Sequence, residues 1–149
     1  PLLDKFLREQ AIRDTKVLSR LEITEGYQIL LPQFNIEVQL SHLTKAFYIL
    51  FYQHPWGIPL SELPKYREGL KQLYLAISNQ NDYNKMMKSI DDLLNSPANI
   101  ATHISRIKDR FCELLYPEIA LHYCIIPDAK YKEMRYIPWC RENTDLQPF

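Results

Sequence analysis

Residues 96–117 read SPANIATHISRIKDRFCELLYP and carry the clearest helix signals of this chain. Ser96 is a favourable N-cap residue, and Pro97 suits the first helical position because its fixed φ angle matches the helix. Apolar residues then recur at the spacing of one helical stripe, at Ile100, Ile104, Ile107, Phe111 and Leu115. Pro117 is expected to end the helix. The segment therefore predicts an amphipathic helix with one apolar and one charged face.

The residues after this helix are typical of a β-hairpin. His122–Ile126 and Met134–Trp139 are rich in strand-forming residues, and a polar link from Pro127 to Lys130 separates them. We therefore predict a hairpin over residues 122–139. Residues 141–149 are predicted to form a tail.

The N-terminal part of the chain predicts one helix followed by a small antiparallel sheet. Residues 2–20 place apolar residues among charged ones in a moderately amphipathic pattern. From Leu21 onwards apolar and polar residues alternate, which indicates half-buried strands, and Gly26 and Pro32 supply turns. The alternating residues are Leu21, Ile23, Tyr27, Ile29, Leu31, Phe34, Ile36, Val38 and Leu40. The sheet is therefore predicted over residues 21–40.

Three further helices are predicted before the capped one, so that residues 42–116 form a helical body. Their N-terminal signals are, in order, Ser41, Ser61 and either Asn81 or Asp82. The HPWG stretch at residues 54–57 ends the first of them. The second and third carry apolar stripes at three-and-four spacing. These stripes are Leu63, Tyr66, Leu70, Leu73 and Ile77, and then Tyr83, Met86, Met87, Ile90, Leu93 and Leu94.

The order of these elements predicts the fold class. A small sheet, several helices, a final capped helix and a hairpin follow one another in a winged helix-turn-helix domain preceded by a sheet. The sequence therefore predicts an α+β fold, a winged helix-turn-helix with a small N-terminal antiparallel sheet and inserted helices. At 149 residues the chain has the common size of one domain, and no repeat or long linker divides it. We predict a single winged-helix-like domain over residues 1–149.

A local resemblance agrees with this fold. Residues 100–111, IATHISRIKDRF, resemble the recognition-helix segment of OmpR/PhoB-type response-regulator effector domains, which commonly read VDVHISRLRKKL. Residues 103–106 are identical, and residue type is kept at Ile100, Ile107, Lys108, Arg110 and Phe111. In element order the resemblance extends over residues 27–139 and implies a DNA-binding domain. The chain departs from this family in three respects. The stretch from Leu70 to Leu94 is an insertion, and the hairpin lacks the family's TVRGxGY signature. Asp109 is negatively charged where the family segment carries a positive charge.

A second resemblance covers most of the chain. Residues 43–58, LTKAFYILFYQHPWGI, and residues 63–70, LPKYREGL, are similar to stretches of a group of small proteins of gut-dwelling anaerobic bacteria. Those proteins typically show LFLRHPEGI and YREEL. The resemblance implies a bacterial protein and brings no assigned activity with it.

Six residues are candidates for DNA contacts: His103, Arg106, Arg110, Lys130, Lys132 and Arg135. The first three lie three and four residues apart on the capped helix, so they can present donors to phosphates and base edges. The last three belong to a local basic excess in the hairpin, which a wing can lay along the DNA backbone. The alternative interpretations are an ordinary solvated helix face and a solvent-exposed hairpin.

The net charge favours a different class of partner. Lys plus Arg and Asp plus Glu each number 18, so the net charge is zero, whereas DNA-binding domains usually carry a basic excess. The second hypothesis is therefore a protein-protein interaction module or a homodimeric adaptor that does not bind nucleic acid. In that case the inserted helices between Leu63 and Leu94 supply an apolar groove or ridge.

The composition argues against most enzyme classes. Three scattered glycines cannot form a phosphate-cradling loop, so no nucleotide cofactor is expected. Cys112, Cys124 and Cys140 lack paired spacing, so we predict buried, reduced thiols rather than a zinc site or disulfides. No nucleophile has an identifiable base, and we predict no catalytic residue, no metal and no cofactor.

The apolar runs and the cysteines predict a cytoplasmic protein with no membrane partner. The longest apolar runs are far shorter than the roughly 20 residues of a membrane span. No basic-then-apolar leader opens the chain. The first residue is Pro1 rather than methionine, and the sequence leaves open whether residues precede it.

Overall fold

The computed structural model describes residues 2–7, 18–79 and 81–144, and combines helices with two small sheets. The helices are α1 (residues 2–7), α2 (His42–Tyr52), α3 (Arg67–Ile77), α4 (Tyr83–Leu94), α5 (Pro97–Leu114), α6 (Pro117–Ala120) and α7 (Pro138–Glu142). The strands are β1 (Glu22–Ile23), β2 (Ile29–Leu31), β3 (Ile36–Val38), β4 (Ile58–Pro59), β5 (Ile126–Pro127) and β6 (Met134–Tyr136). Short 3-10 helices cover Pro32–Phe34, Leu60–Tyr66 and Leu121–Tyr123. The predicted α+β class is confirmed.

Both sheets are antiparallel and have three strands. The N-terminal sheet has the order β1-β2-β3, within the range predicted for it. The second sheet has the order β4-β6-β5, so β5 and β6 form the predicted hairpin. Its third strand, β4, pairs Ile58 with Arg135 and was not predicted. Through β4 the hairpin is attached to the segment that follows α2.

Two of the predicted helix caps are confirmed. The Ser96 hydroxyl accepts the backbone N–H of Asn99 at 3.2 Å, and the Asp82 carboxylate accepts that of Lys85 at 3.0 Å. Ser41 does precede α2, but its hydroxyl donates to the Thr44 hydroxyl at 3.0 Å instead of accepting a backbone N–H.

Two prolines change the predicted helix boundaries. The helix expected after Ser61 is divided, because Pro64 lies within the 3-10 helix Leu60–Tyr66 and α3 begins only at Arg67. Pro117 does not mark the end of α5, which already ends at Leu114, and instead starts α6. The backbone becomes extended at Leu115, where φ is −137° and ψ is 156°.

The predictions at both ends of the chain also need correction. Residues 18–20 are not helical, and residues 8–17 of the predicted helix 2–20 lie outside the described residues. The predicted hairpin 122–139 is shorter, because His122 lies in a 3-10 helix and Trp139 in α7. Helix α7 also includes residues 141 and 142 of the predicted tail, and residues 145–149 lie outside the described residues.

An aromatic core fixes α5 against the rest of the protein. Helix α2 packs against both α3 and α5, and α4 packs between α3 and α5. The Phe111 ring of α5 lies between those of Tyr48 and Tyr123, at centroid distances of 5.6 and 5.8 Å. The Tyr48 hydroxyl donates to the Tyr123 carbonyl at 2.6 Å, and the Tyr123 hydroxyl donates to that of Ser19 at 2.7 Å. This core decides which face of α5 remains accessible.

Candidate functional site

Helix α5 divides into a buried face and an exposed face. The buried residues are Ile100, His103, Ile107 and Phe111. The exposed residues after the first turn include Thr102, Ser105, Arg106, Lys108 and Asp109. Ile104, which the sequence places in the buried stripe, is only half-buried and lies at the edge between the two faces.

His103 lies on the buried face. It is 9 % exposed, its Nδ1 atom is 2.9 Å from the Thr44 hydroxyl oxygen, and its ring is 6.1 Å from that of Phe47. Burial, together with the nearby charge of Arg106, lowers the pKa of His103 below its ordinary value. His103 therefore links α5 to α2 and is not part of the exposed face.

The burial of His103 predicts a loss of stability in mild acid. Its pKa is lower in the folded than in the unfolded state, so the unfolded chain takes up the proton first as the pH falls below about 6.5. We expect the urea midpoint of unfolding to fall between pH 7 and pH 5.5, and to fall less in a His103→Gln variant. The exposed His42→Gln variant is the control. Equal pH dependence in wild type and His103→Gln would refute this role.

The two arginines of α5 lie beside the junction between β3 and α2. Arg106 is exposed, whereas Arg110 is half-buried and its Nη1 donates to the Glu113 carboxylate at 2.8 Å. Both line a shallow depression of about 360 Å³ with Asp109 and Glu113. Two cations and two anions therefore share this surface, which reduces its attraction for phosphate.

The basic residues of the hairpin are only partly available. Lys130 and Lys132 are exposed in the loop between β5 and β6. Arg135 is half-buried, and its Nη1 donates to the carbonyl of Lys132 and, at 3.4 Å, to that of Met134. Three of the six predicted contact residues thus remain exposed: Arg106, Lys130 and Lys132.

Asp128 and Arg141 hold the hairpin in place. The Asp128 carboxylate accepts the backbone N–H groups of Lys130 and Tyr131, both at 2.8 Å, and Arg141 Nη1 at 2.6 Å. These bonds, the one from Arg141 first, lower the pKa of Asp128 to about 2. Arg141 also donates to the Trp56 carbonyl at 2.9 Å, and its guanidinium lies 3.4 Å from the Tyr136 ring centroid. The hairpin therefore has a fixed position relative to the HPWG stretch.

A concavity with a largely apolar lining lies on the other side of α5 from the two arginines. We call it the α5 groove, and its volume is about 550 Å³. Its apolar lining consists of Leu60, Pro64, Leu94, Pro97, Ile100, Ala101 and Ile104. Ser61, Asn95, Glu133 and Arg135 supply the polar part of the lining. Arg135 therefore lies in this groove and does not share a surface depression with Arg106 and Arg110.

The α5 groove partly matches the groove expected between Leu63 and Leu94. Pro64 and Leu94 come from that range, but the opposite wall is the first half of α5 itself, and β6 closes one end. Sequence reasoning placed Ile100 and Ile104 in the core stripe and so missed their role as lining residues. These two side chains line a groove only because segments that are distant in sequence form its other walls.

Cys124 and Cys140 are buried, whereas Cys112 is half-buried. All three are free thiols, and burial raises the pKa of Cys124 and of Cys140 to about 12. Among residues 2–7, 18–79 and 81–144, no three His, Cys, Asp or Glu side chains are placed to hold a metal ion.

The chain matches no protein-family model, no curated protein and no solved structure. Within the described ranges, no helix is both long and apolar enough to cross a membrane.

Proposed function

We propose that the chain is a winged-helix domain that binds a hydrophobic segment of another protein in the α5 groove. The observation that carries this proposal is the lining of the groove, in which seven of eleven residues are apolar. Apolar concavities that remain open to solvent favour protein contacts, because water is released when they are covered. A helix with apolar side chains every three or four residues has the shape to fill such a groove. The proposed role is binding and not catalysis.

The winged-helix assignment is supported by the order of the elements. Helices α2 and α5 precede the hairpin β5-β6 in the predicted order, and the predicted insertion, Leu70–Leu94, contains most of α3 and all of α4. Strand β4 ties this hairpin to the helical body beside α5. The proposal places the protein in the cytoplasm, since its three cysteines are free thiols.

A charge placed in the groove tests the proposed function. Peptides selected from a random helical display library against the wild-type protein should carry apolar residues at i, i+3 or i+4, and i+7. Their affinity should fall about tenfold or more in an Ile104→Glu variant, because the new carboxylate would lose its water when an apolar peptide side chain covers it. Ser105→Glu adds the same charge on the exposed face and should leave affinity unchanged. Failure to select any peptide sensitive to Ile104→Glu would refute the proposal.

DNA binding is the second candidate, and the exposed cations favour it. Arg106 lies on the exposed face of α5, and Lys130 and Lys132 lie in the hairpin loop that follows α5 in the chain. Such cations can neutralise phosphates of a DNA backbone. The zero net charge and the acidic residues Asp109 and Glu113 oppose DNA binding, so we count only these three cations as phosphate contacts.

A salt titration tests DNA binding. With three phosphate contacts, the logarithm of the affinity for a mixed-sequence duplex should fall with a slope of about 2.7 against the logarithm of salt concentration. A Lys130→Ala/Lys132→Ala variant should reduce the slope to about 0.9. Lys85→Ala/Lys88→Ala removes two exposed cations from α4 and should leave it unchanged. Fluorescence anisotropy of labelled duplex measures the slope, and no anisotropy change at low salt would exclude this function.

A further inference from the structure

Helix α1 exposes four apolar side chains to solvent. The exposed fractions are 86 % for Leu2, 66 % for Leu3, 50 % for Phe6 and 57 % for Leu7. Half of the large exposed hydrophobic residues of the described chain therefore lie within these six consecutive residues. Single exposed hydrophobic residues are ordinary, but a cluster of this kind marks an interaction surface.

Lys5 binds α1 to the C-terminal end of α5. Its Nζ donates to the carbonyl oxygen of Cys112 at 2.9 Å and lies 5.7 Å from the centroid of the Tyr116 ring. Carbonyl groups in the last turn of a helix lack partners within the helix and favour a cation. This polar contact ties α1 to its own α5, while Leu2, Leu3 and Phe6 remain at least half exposed. Leu7 also borders a shallow concavity beside Phe34.

The α5 groove lies at the opposite end of the same helix. Its lining includes Pro97, Ile100 and Ile104, whereas α1 is bound at Cys112. With a rise of 1.5 Å per residue, Ile100 and Cys112 are about 18 Å apart along the helix axis. Held by Lys5, α1 does not reach the groove of its own chain.

We propose that the chain forms a two-fold symmetric dimer in which α1 of each copy binds in the α5 groove of the other. This inference rests on the proposed function, because it names the occupant of that groove. A two-fold axis perpendicular to α5 near its middle places the C-terminal end of one α5 beside the first half of the other. Each α1 then lies across the groove of the second copy, with Leu3 and Phe6 against Ile100 and Ile104. Because the contact is reciprocal, it closes after two copies and does not grow into a filament.

Two further features favour a second copy as the occupant. The net charge of the chain is zero, so two copies do not repel each other at long range. A second concavity of about 370 Å³ lies beside the other end of α5 and is lined by Cys112, Pro117 and Leu121 among others. Ala101, Ile104, Lys108 and Cys112 follow one another at three-and-four spacing, so both concavities border one side of α5. The interface can therefore extend along the whole helix.

Sedimentation velocity of the full chain tests the dimer. Each of the two contacts places a helix of six residues in a groove of about 550 Å³, so we expect weak association, with the mass rising from 17.8 kDa to twice that value over a range of about 1 to 200 µM. Leu3→Glu/Phe6→Glu and Ile104→Glu should each remain monomeric over this range. Leu75→Glu alters another exposed hydrophobic residue, on α3, and should still dimerise. An equimolar mixture of the two monomeric variants retains one intact α1 and one intact groove and should recover weak association.

Disulfide cross-linking gives a second measurement that does not depend on variant stability. Phe6→Cys and Ala101→Cys change exposed residues, and a mixture of these two chains should form an intermolecular disulfide under mild oxidation. Phe6→Cys mixed with Leu75→Cys should not. A wild-type chain that stays monomeric to 200 µM, or a dimer that persists in Ile104→Glu, would overturn the inference. If library peptides still bind the groove in that case, the proposed function stands and only the identity of the occupant is wrong.

Discussion

Replacing Gly57 with alanine is expected to lower the free energy of unfolding by about 3 kcal/mol. Gly57 has a φ of +103°, a backbone conformation that residues with a Cβ atom rarely adopt. A Cβ there would also lie 2.6 Å from the carbonyl oxygen of Arg135 and 2.9 Å from the sulfur of Met134. The methionine side chain can move, but the Arg135 carbonyl belongs to β6, where Arg135 pairs with Ile58. The substitution therefore strains the sheet that closes the α5 groove.

Gly69→Ala is the matched control, and its effect has the opposite sign. Gly69 is exposed in α3, and a Cβ there would have only the Leu50 side chain nearby, at 3.9 Å. Alanine stabilises a helix interior relative to glycine, so we expect a gain of about 0.5 to 1 kcal/mol. Urea denaturation of both variants measures the difference. A Gly57→Ala variant within 0.5 kcal/mol of wild type would show that the loop adjusts without cost.

The helices could be predicted from the sequence because their determinants are local. Caps and three-and-four apolar spacing act within a few residues, and they predict α4 after Asn81 or Asp82 and α5 after Ser96. Strand β4 could not be predicted in this way. It has two residues, lies between Gly57 and the 3-10 helix, and exists only because β6, more than 70 residues later, pairs with it. Pairing over such a separation leaves no periodic signal in a single sequence.

The candidate site was predicted less well than the fold. His103 follows Ile100 by three residues and precedes Ile107 by four, so its place on the buried face was already present in the apolar spacing. Arg110 and Glu113 are also at a spacing that favours an ion pair on a helix. The α5 groove is different, since its walls come from Leu60–Tyr66, α4, α5 and β6. Its shape depends on how these segments pack, which no local pattern records.

Phe111→Ala is the second large expected effect, a loss of about 4 kcal/mol. Phe111 is completely buried, and its ring is stacked on that of Tyr123 with an interplanar angle of 22°. Removing the ring leaves a cavity beside Tyr48 and Tyr123, whose hydroxyl groups donate to buried backbone carbonyls. A loss of this size is a large fraction of the roughly 5 to 15 kcal/mol that stabilises a domain. Thermal and urea unfolding should both show it.

Phe111→Leu separates the loss of volume from the loss of the aromatic contact. Leucine fills most of the space, so the cost should fall to about 1.5 kcal/mol, and what remains reports on the stacking with Tyr123. Both variants should leave the exposed face of α5 unchanged, because Phe111 lies on the opposite side of the helix. If Phe111→Ala cost less than 1 kcal/mol, α5 would not be fixed by this aromatic core, and the groove that depends on its position would have to be reconsidered.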